Sequence, residues 1–111
     1  AFQSCSALTT ADFHAAMSIG SYTFRFCSKL TALILRSATM ATLSSSLDLD
    51  STPIASGTGY IYVPRTLLSD TDSTKDYRQA RNWSTYAAQF RAIEDYTVDG
   101  TTTGALDVTK I

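Results

Sequence analysis

Apolar and polar positions along the chain follow several rules, and each change of rule marks a predicted element. Thr9, Thr10, Ala11 and Asp12 offer a hydroxyl cap with a carboxylate three positions on, after which Phe13, Ala16 and Met17 recur at helical spacing as far as Gly20. This predicts a short first helix. From Ser21 strict alternation takes over, with Tyr22, Phe24 and Phe26 on one side and Thr23, Arg25 and Cys27 on the other, as a half-buried strand requires. Residues 30–43 satisfy both periods. Leu30, Leu33, Ile34, Ala38 and Ala41 share a helical face, while Thr31, Leu33 and Leu35 alternate, and the helical reading is preferred.

Residues 44–59 are rich in serine, aspartate, proline and glycine and read as a long connection, with Leu47 and Leu49 able to form a brief edge strand. Tyr60, Ile61, Tyr62 and Val63 form a β-rich run ended by Pro64, the signature of a short strand. Ser73 precedes Asp76 by three positions, and Tyr77, Ala80, Trp83, Ala87 and Phe90 then turn one apolar side inward, predicting an amphipathic helix over residues 74–93. The rival is a long strand, because Tyr86, Ala88, Phe90 and Ala92 alternate toward Tyr96 and Val98. Asp99-Gly100 tolerates the positive φ of a tight turn and predicts a terminal hairpin running on to Leu106, Val108 and Ile111. No unit of roughly 20 to 50 residues reads as a repeat. Together these elements predict one compact α+β domain over residues 1–111, with about four antiparallel strands covered on one face by two or three helices. An all-β sandwich is the alternative, if the segments near Leu30 and Tyr86 are strands.

Composition narrows the function. The chain is 44% apolar and 17% charged with a net charge of −1, which suits a folded globular domain and supplies no positive field for nucleic acid or an anionic membrane. The apolar stretch at residues 30–43 contains Arg36 and is shorter than the roughly 20 residues of a membrane span. Serine and threonine number 31, against one asparagine and one glutamate. Such uncharged polar surfaces suit a secreted, surface or particle-associated protein better than a cytoplasmic one. The chain opens without methionine and without a basic segment leading into an apolar run, so an upstream piece is expected to have been removed.

Several constellations are candidates for chemistry. Cys5 and Cys27 stand 22 positions apart, without the spacing of a zinc site, and either form a disulfide worth about 3 kcal/mol or remain two buried thiols. Asp48-Leu49-Asp50-Ser51-Thr52 is echoed by Asp70-Thr71-Asp72-Ser73-Thr74, so Asp48, Asp50, Asp70 and Asp72 are candidate ligands for calcium or magnesium. Turn formation and capping explain the same residues without a metal. The string Leu47-Asp48-Leu49-Asp50-Ser51-Thr52 resembles the nucleophile loop of haloacid-dehalogenase-type phosphatases, with Asp95 and Asp99 similar to that family's later acidic pair. The resemblance implies a magnesium-dependent phosphatase in which the first aspartate attacks phosphorus and the second serves as acid and base. Against it, polar residues precede Leu47 where the family has a buried strand, Ser51 replaces a glycine, and no lysine is clearly placed to hold a phosphoryl group.

His14, the only histidine, lies on the first predicted helix and reads as structural. Asn82-Trp83-Ser84 fits a glycosylation acceptor although Trp83 is expected inside, and Gly57-Thr58-Gly59 precedes a strand where a phosphate loop follows one. Tyr60 and Tyr62 share a strand face and are the candidate partner surface. The leading expectation is therefore a non-enzymatic structural or assembly subunit acting on a protein partner or on itself, with no cofactor. A secreted disulfide-bonded binding module or toxin-like effector comes second, and a metal-dependent phosphatase third.

Overall fold

A computed structural model describes residues 7–13, 18–19, 24, 26–37, 41–43, 49, 51–69, 71–72, 75–80, 82–102, 104–107 and 109. Its centre is a four-stranded sheet of β1 (Thr10–Phe13), β3 (Ala32–Leu35), β5 (Tyr60–Val63) and β6 (Phe90–Ala92), stacked in that order with every pair parallel. A second parallel pair joins β2 (Ser18–Ile19) to β4 (Thr42–Leu43). The chain thus returns to the same sheet after each excursion and lays each new strand beside the last, as in a short solenoid.

Mixed α and β structure is retained, but the sheet is parallel, which corrects the expected antiparallel arrangement and removes the sandwich. Parallel neighbours need a crossover of a dozen or more residues, and each connection in this sheet is long enough to provide one. The predicted first helix begins instead with β1, and residues 30–43 hold β3 and β4. Of the predicted strand at residues 21–27, Phe24, Phe26 and Cys27 are described. Cys27 N–H donates to Phe24 O in a turn, and Phe26 takes a φ of +64°, which no extended strand allows.

Register organises the core into rows. Ala11, Leu33, Ile61 and Phe90 lie side by side across four strands and belong to the main apolar cluster, with Phe24, Leu30, Leu49, Ile54, Tyr77 and Trp83. The outer row runs Asp12, Ile34, Tyr62 and Arg91. There Ala32, Ile34, Tyr62 and Ile93 form a second cluster, against which Tyr60, Tyr96 and Leu106 pack. β3 is therefore buried on both faces, as its unbroken Ala-Leu-Ile-Leu run reflects.

Local chemistry sets the connections. The one-turn α1 (Pro53–Ser56) has Thr52 accepting from Ala55 N–H, proline at its start and Gly57 at φ +96° closing it. Gly59 follows where the chain passes between coils, and a Cβ there would stand 2.9 Å from both Ile54 N and Thr31 O. The predicted helix over residues 74–93 is replaced by short 3₁₀ helices at Tyr77–Gln79 and Trp83–Gln89, separated by Asn82 at φ +66° and followed by β6. Tyr77, Trp83 and Phe90 of its expected inward side are buried and Ala80 packs against them, but Ala87 is only half-buried, and Tyr86, outside that side, is buried in its place. The chain does reverse beyond Tyr96, with Thr97 paired to Leu106 and Gly100 at φ +72°, but one bridge closing a loop over residues 98–105 replaces the predicted two-residue turn and its strands, and Val108 and Ile111 lie outside the described residues.

The spacing of 22 between Thr10 and its partner Ala32 coincides with a repeat in the sequence, which corrects the expectation of none. Phe2, Cys5, Ser6, Leu8 and Thr9 recur as Phe24, Cys27, Ser28, Leu30 and Thr31 at that same spacing.

Candidate functional site

The outer face of the sheet gathers the aromatic and charged side chains that stand nearest to a site. Tyr60 and Tyr62 project from alternate positions of β5 with ring centroids 6.4 Å apart, and Tyr96 closes on Tyr62 at 5.0 Å. The two candidate tyrosines are not equivalent. Tyr62 is 1% exposed beneath Tyr96 and Leu106, whereas Tyr60 is half-buried with the Arg91 guanidinium 4.5 Å over its ring. Burial, reinforced by Tyr96 and Tyr60 and opposed by Arg91, raises the Tyr62 phenol above its ordinary value.

The terminal hairpin lies over this face and is fastened by one cation. Arg36 Nε and Nη2 bind the Asp12 carboxylate at 2.8 and 3.1 Å, and Nη1 donates to Gly104 O at 2.7 Å and Thr102 O at 3.0 Å. The hairpin supplies its own bonds as well: Val98 N–H to Ala105 O, Asp107 N–H to Tyr96 O, and Thr97 Oγ1 to Thr101 O. Asp99 Oδ1 accepts from the Thr101 hydroxyl and N–H, which holds its carboxyl below the usual range.

On the opposite side, side chains take the place of another strand beside β4. Ala41 N–H donates to the Tyr77 hydroxyl at 2.7 Å, Trp83 Nε1 donates to Ala41 O at 2.9 Å, and Asn82 Nδ2 donates to Leu43 O at 2.6 Å. The Tyr77 and Phe90 rings stack at 5.4 Å and Trp83 meets both edge-on. Burial raises the Tyr77 phenol, against the lowering effect of the Ala41 N–H bond. The amide nitrogen that would carry a glycan at Asn82 is thus spent on a backbone carbonyl.

Asp48, Asp50, Asp70, Cys5 and His14 lie outside the described residues. Asp72 is exposed, and Cys27 is fully buried in the main cluster. Asp95 pairs with Arg65, whose backbone N–H donates to Glu94, and Asp99 is engaged in the hairpin turn. Asp76 is buried between Arg78 Nε at 2.9 Å and Gln79 Nε2 at 2.9 Å. Burial pushes Asp76 upward, but those bonds and the Arg78 N–H outweigh it and leave its carboxyl below the ordinary range. Among the described residues no three histidine, cysteine, aspartate or glutamate side chains gather as a metal site, and no helix is long and apolar enough to cross a membrane.

The residues missed from sequence are Arg36, Asp12 and Arg91. Their signal was a charge embedded in or beside an apolar run: Arg36 directly follows Leu35, and Arg91 directly follows Phe90. Comparison with protein-family models, with curated proteins and with solved structures yields no match, so the geometry of these faces is what a functional reading must stand on.

Proposed function

We propose that this chain is a non-enzymatic structural or assembly unit that acts through protein–protein contacts. The observation that carries this reading is the half-buried Tyr60 with Arg91 laid over its ring, beside the hairpin on the outer sheet face. Tyrosine and arginine are the side chains most enriched where proteins meet, because each combines a flat apolar surface with directional hydrogen bonding. The acidic groups give further support. Asp12, Asp76 and Asp95 each face an arginine, and Asp99 is bound within its own turn, which is the economy of a scaffold.

The partner surface in this reading centres on Tyr60 and Arg91, with Tyr62 supporting it from beneath. Light scattering after size exclusion, on protein isolated gently from its source and then across a concentration series, tests the reading. It expects a mass above the single chain or a defined companion, reduced in the Tyr60→Ala variant. A strictly monomeric species at high concentration, with nothing accompanying it on isolation, would overturn it.

A further inference from the structure

Among the described residues are four arginines, and three of them face a carboxylate: Arg36 that of Asp12, Arg65 that of Asp95 and Arg78 that of Asp76. Arg91 is the exception, since it pairs with no acidic side chain among those residues. Its guanidinium is nevertheless held in place. Nη1 donates to Ala88 O at 2.9 Å and to Phe90 O at 2.8 Å, and the central carbon lies 4.5 Å over the Tyr60 ring. These contacts use Nη1 and one face of the group, and nothing among the described residues bonds to the edge formed by Nε and Nη2.

Arg36 shows what such an edge takes. Its Nη1 also donates to two main-chain carbonyls, Thr102 O at 3.0 Å and Gly104 O at 2.7 Å, while Nε and Nη2 grip the two oxygens of Asp12 at 2.8 and 3.1 Å. Arg78 grips Asp76 by the same edge, at 2.9 and 3.2 Å. The edge is a rigid fork whose two N–H groups match the spacing of two carboxylate oxygens.

We propose that the Nε–Nη2 edge of Arg91 seats a carboxylate supplied by an acidic segment of a partner protein. This deepens the assembly reading and rests on it, because it names the chemistry that the surface around Tyr60 and Arg91 takes. A carboxylate suits the seat better than a phosphate or a nucleic acid: one guanidinium balances one negative charge, and a chain of net charge −1 supplies no field to hold a polyanion. The Tyr60 ring and the two carbonyls already fix the fork, so little side-chain freedom is lost when the acid arrives.

The NMR signal of the Arg91 Nε–H group in the isotope-labelled full chain, assigned by its loss in Arg91→Lys, tests the seat. The probes are a blocked hexaglutamate peptide, its hexaglutamine counterpart and inorganic phosphate, all at matched ionic strength. Hexaglutamate is expected to shift the Nε–H and the neighbouring Ala92 amide saturably, with the other two probes about tenfold weaker or more. Arg91→Lys keeps the charge but not the fork, and is expected to weaken hexaglutamate about tenfold, read at the Ala92 amide. No saturable shift, an equal response to hexaglutamine or phosphate, or a lysine variant that binds as well as the native chain would overturn the proposal. Light scattering keeps the two readings apart. A solitary monomer whose Arg91 still answers to hexaglutamate overturns the assembly reading while the seat stands, whereas a companion or oligomer retained undiminished in Arg91→Lys overturns the seat alone. Circular dichroism of the variant establishes that it is folded before binding is compared.

Discussion

Removing the Arg36 guanidinium is the sharpest perturbation available to this fold, because one side chain joins the first strand, the second coil and the terminal hairpin. Its side chain is 5% exposed and that of Asp12 36% exposed, so the two ends of the bond respond differently to its loss. In Arg36→Met the Thr102 and Gly104 carbonyls each lose a charged donor, about 1 kcal/mol apiece once water partly compensates. The Asp12 carboxylate is open enough to be rehydrated, which reduces its share to about 1 kcal/mol. The expected loss is about 3 kcal/mol, read as a lower urea midpoint at unchanged slope. Hydrogen exchange adds the location: the Val98 and Asp107 amides, which close the hairpin, lose protection before those of β3 and β5. A double-mutant cycle with Asp12→Asn isolates the ion pair, with a coupling of about 1 kcal/mol expected. If Arg36→Met unfolds within about 0.5 kcal/mol of the native chain, or if hairpin protection survives, Arg36 does not fasten the hairpin.

Three further outcomes follow from groups that the interior holds in place. Trp83→Phe leaves Ala41 O without its indole donor in a buried setting and is expected to cost about 2 to 3 kcal/mol in urea unfolding followed by circular dichroism. The folded-state carboxyl of Asp76 is lowered, so its contribution is present above the ordinary carboxylate range and is lost as pH falls through the lowered value. The urea midpoint is therefore expected to drop on acidification below about pH 4, with a shallower drop in Asp76→Asn. Gly59→Ala drives a Cβ into two backbone atoms and is expected to cost about 3 kcal/mol in thermal or urea unfolding, whereas Gly57→Ala meets open space and costs about 1 kcal/mol for its left-handed φ alone.

How much of this was legible depended on whether a local rule and the tertiary environment agreed. Tyr60 to Val63 read correctly as a strand, since β-rich residues meet a proline, whereas Asp99-Gly100 marks a reversal of the chain but lies in a longer loop than the two-residue turn it suggests. The alternation of Thr31, Leu33 and Leu35 could not decide between strand and helix, because covering by Tyr96 and Leu106 on one side and Trp83 on the other leaves Ala32 to Leu35 no polar face. From Tyr77 to Phe90 the apolar steps are three, three, four and three, between the periods of 3₁₀ and α helices, and Asn82 at a left-handed φ breaks any continuous helix. Strand direction had no local signature at all. It was written in the Cys-Ser-x-Leu-Thr repeat, which the later coils do not preserve. At the site, alternation placed Tyr60 and Tyr62 on one face, but the burial of Tyr62 comes from a hairpin more than thirty residues downstream, beyond the reach of strand periodicity.

The side chains seated along β4 also bear on how the molecule behaves when damaged. A strand with open amides templates the next strand, from its own chain or a neighbour's, and hydroxyl, indole and carboxamide groups already occupy the Ala41 and Leu43 positions where such growth would begin. β6 is guarded more simply, since Arg91 folds back onto Phe90 O and the chain turns at once into a 3₁₀ helix. Lesions at Tyr77, Asn82 or Trp83 would therefore do more than loosen a core: they would bare an adhesive border, and fibrillar deposits would accompany the loss of stability.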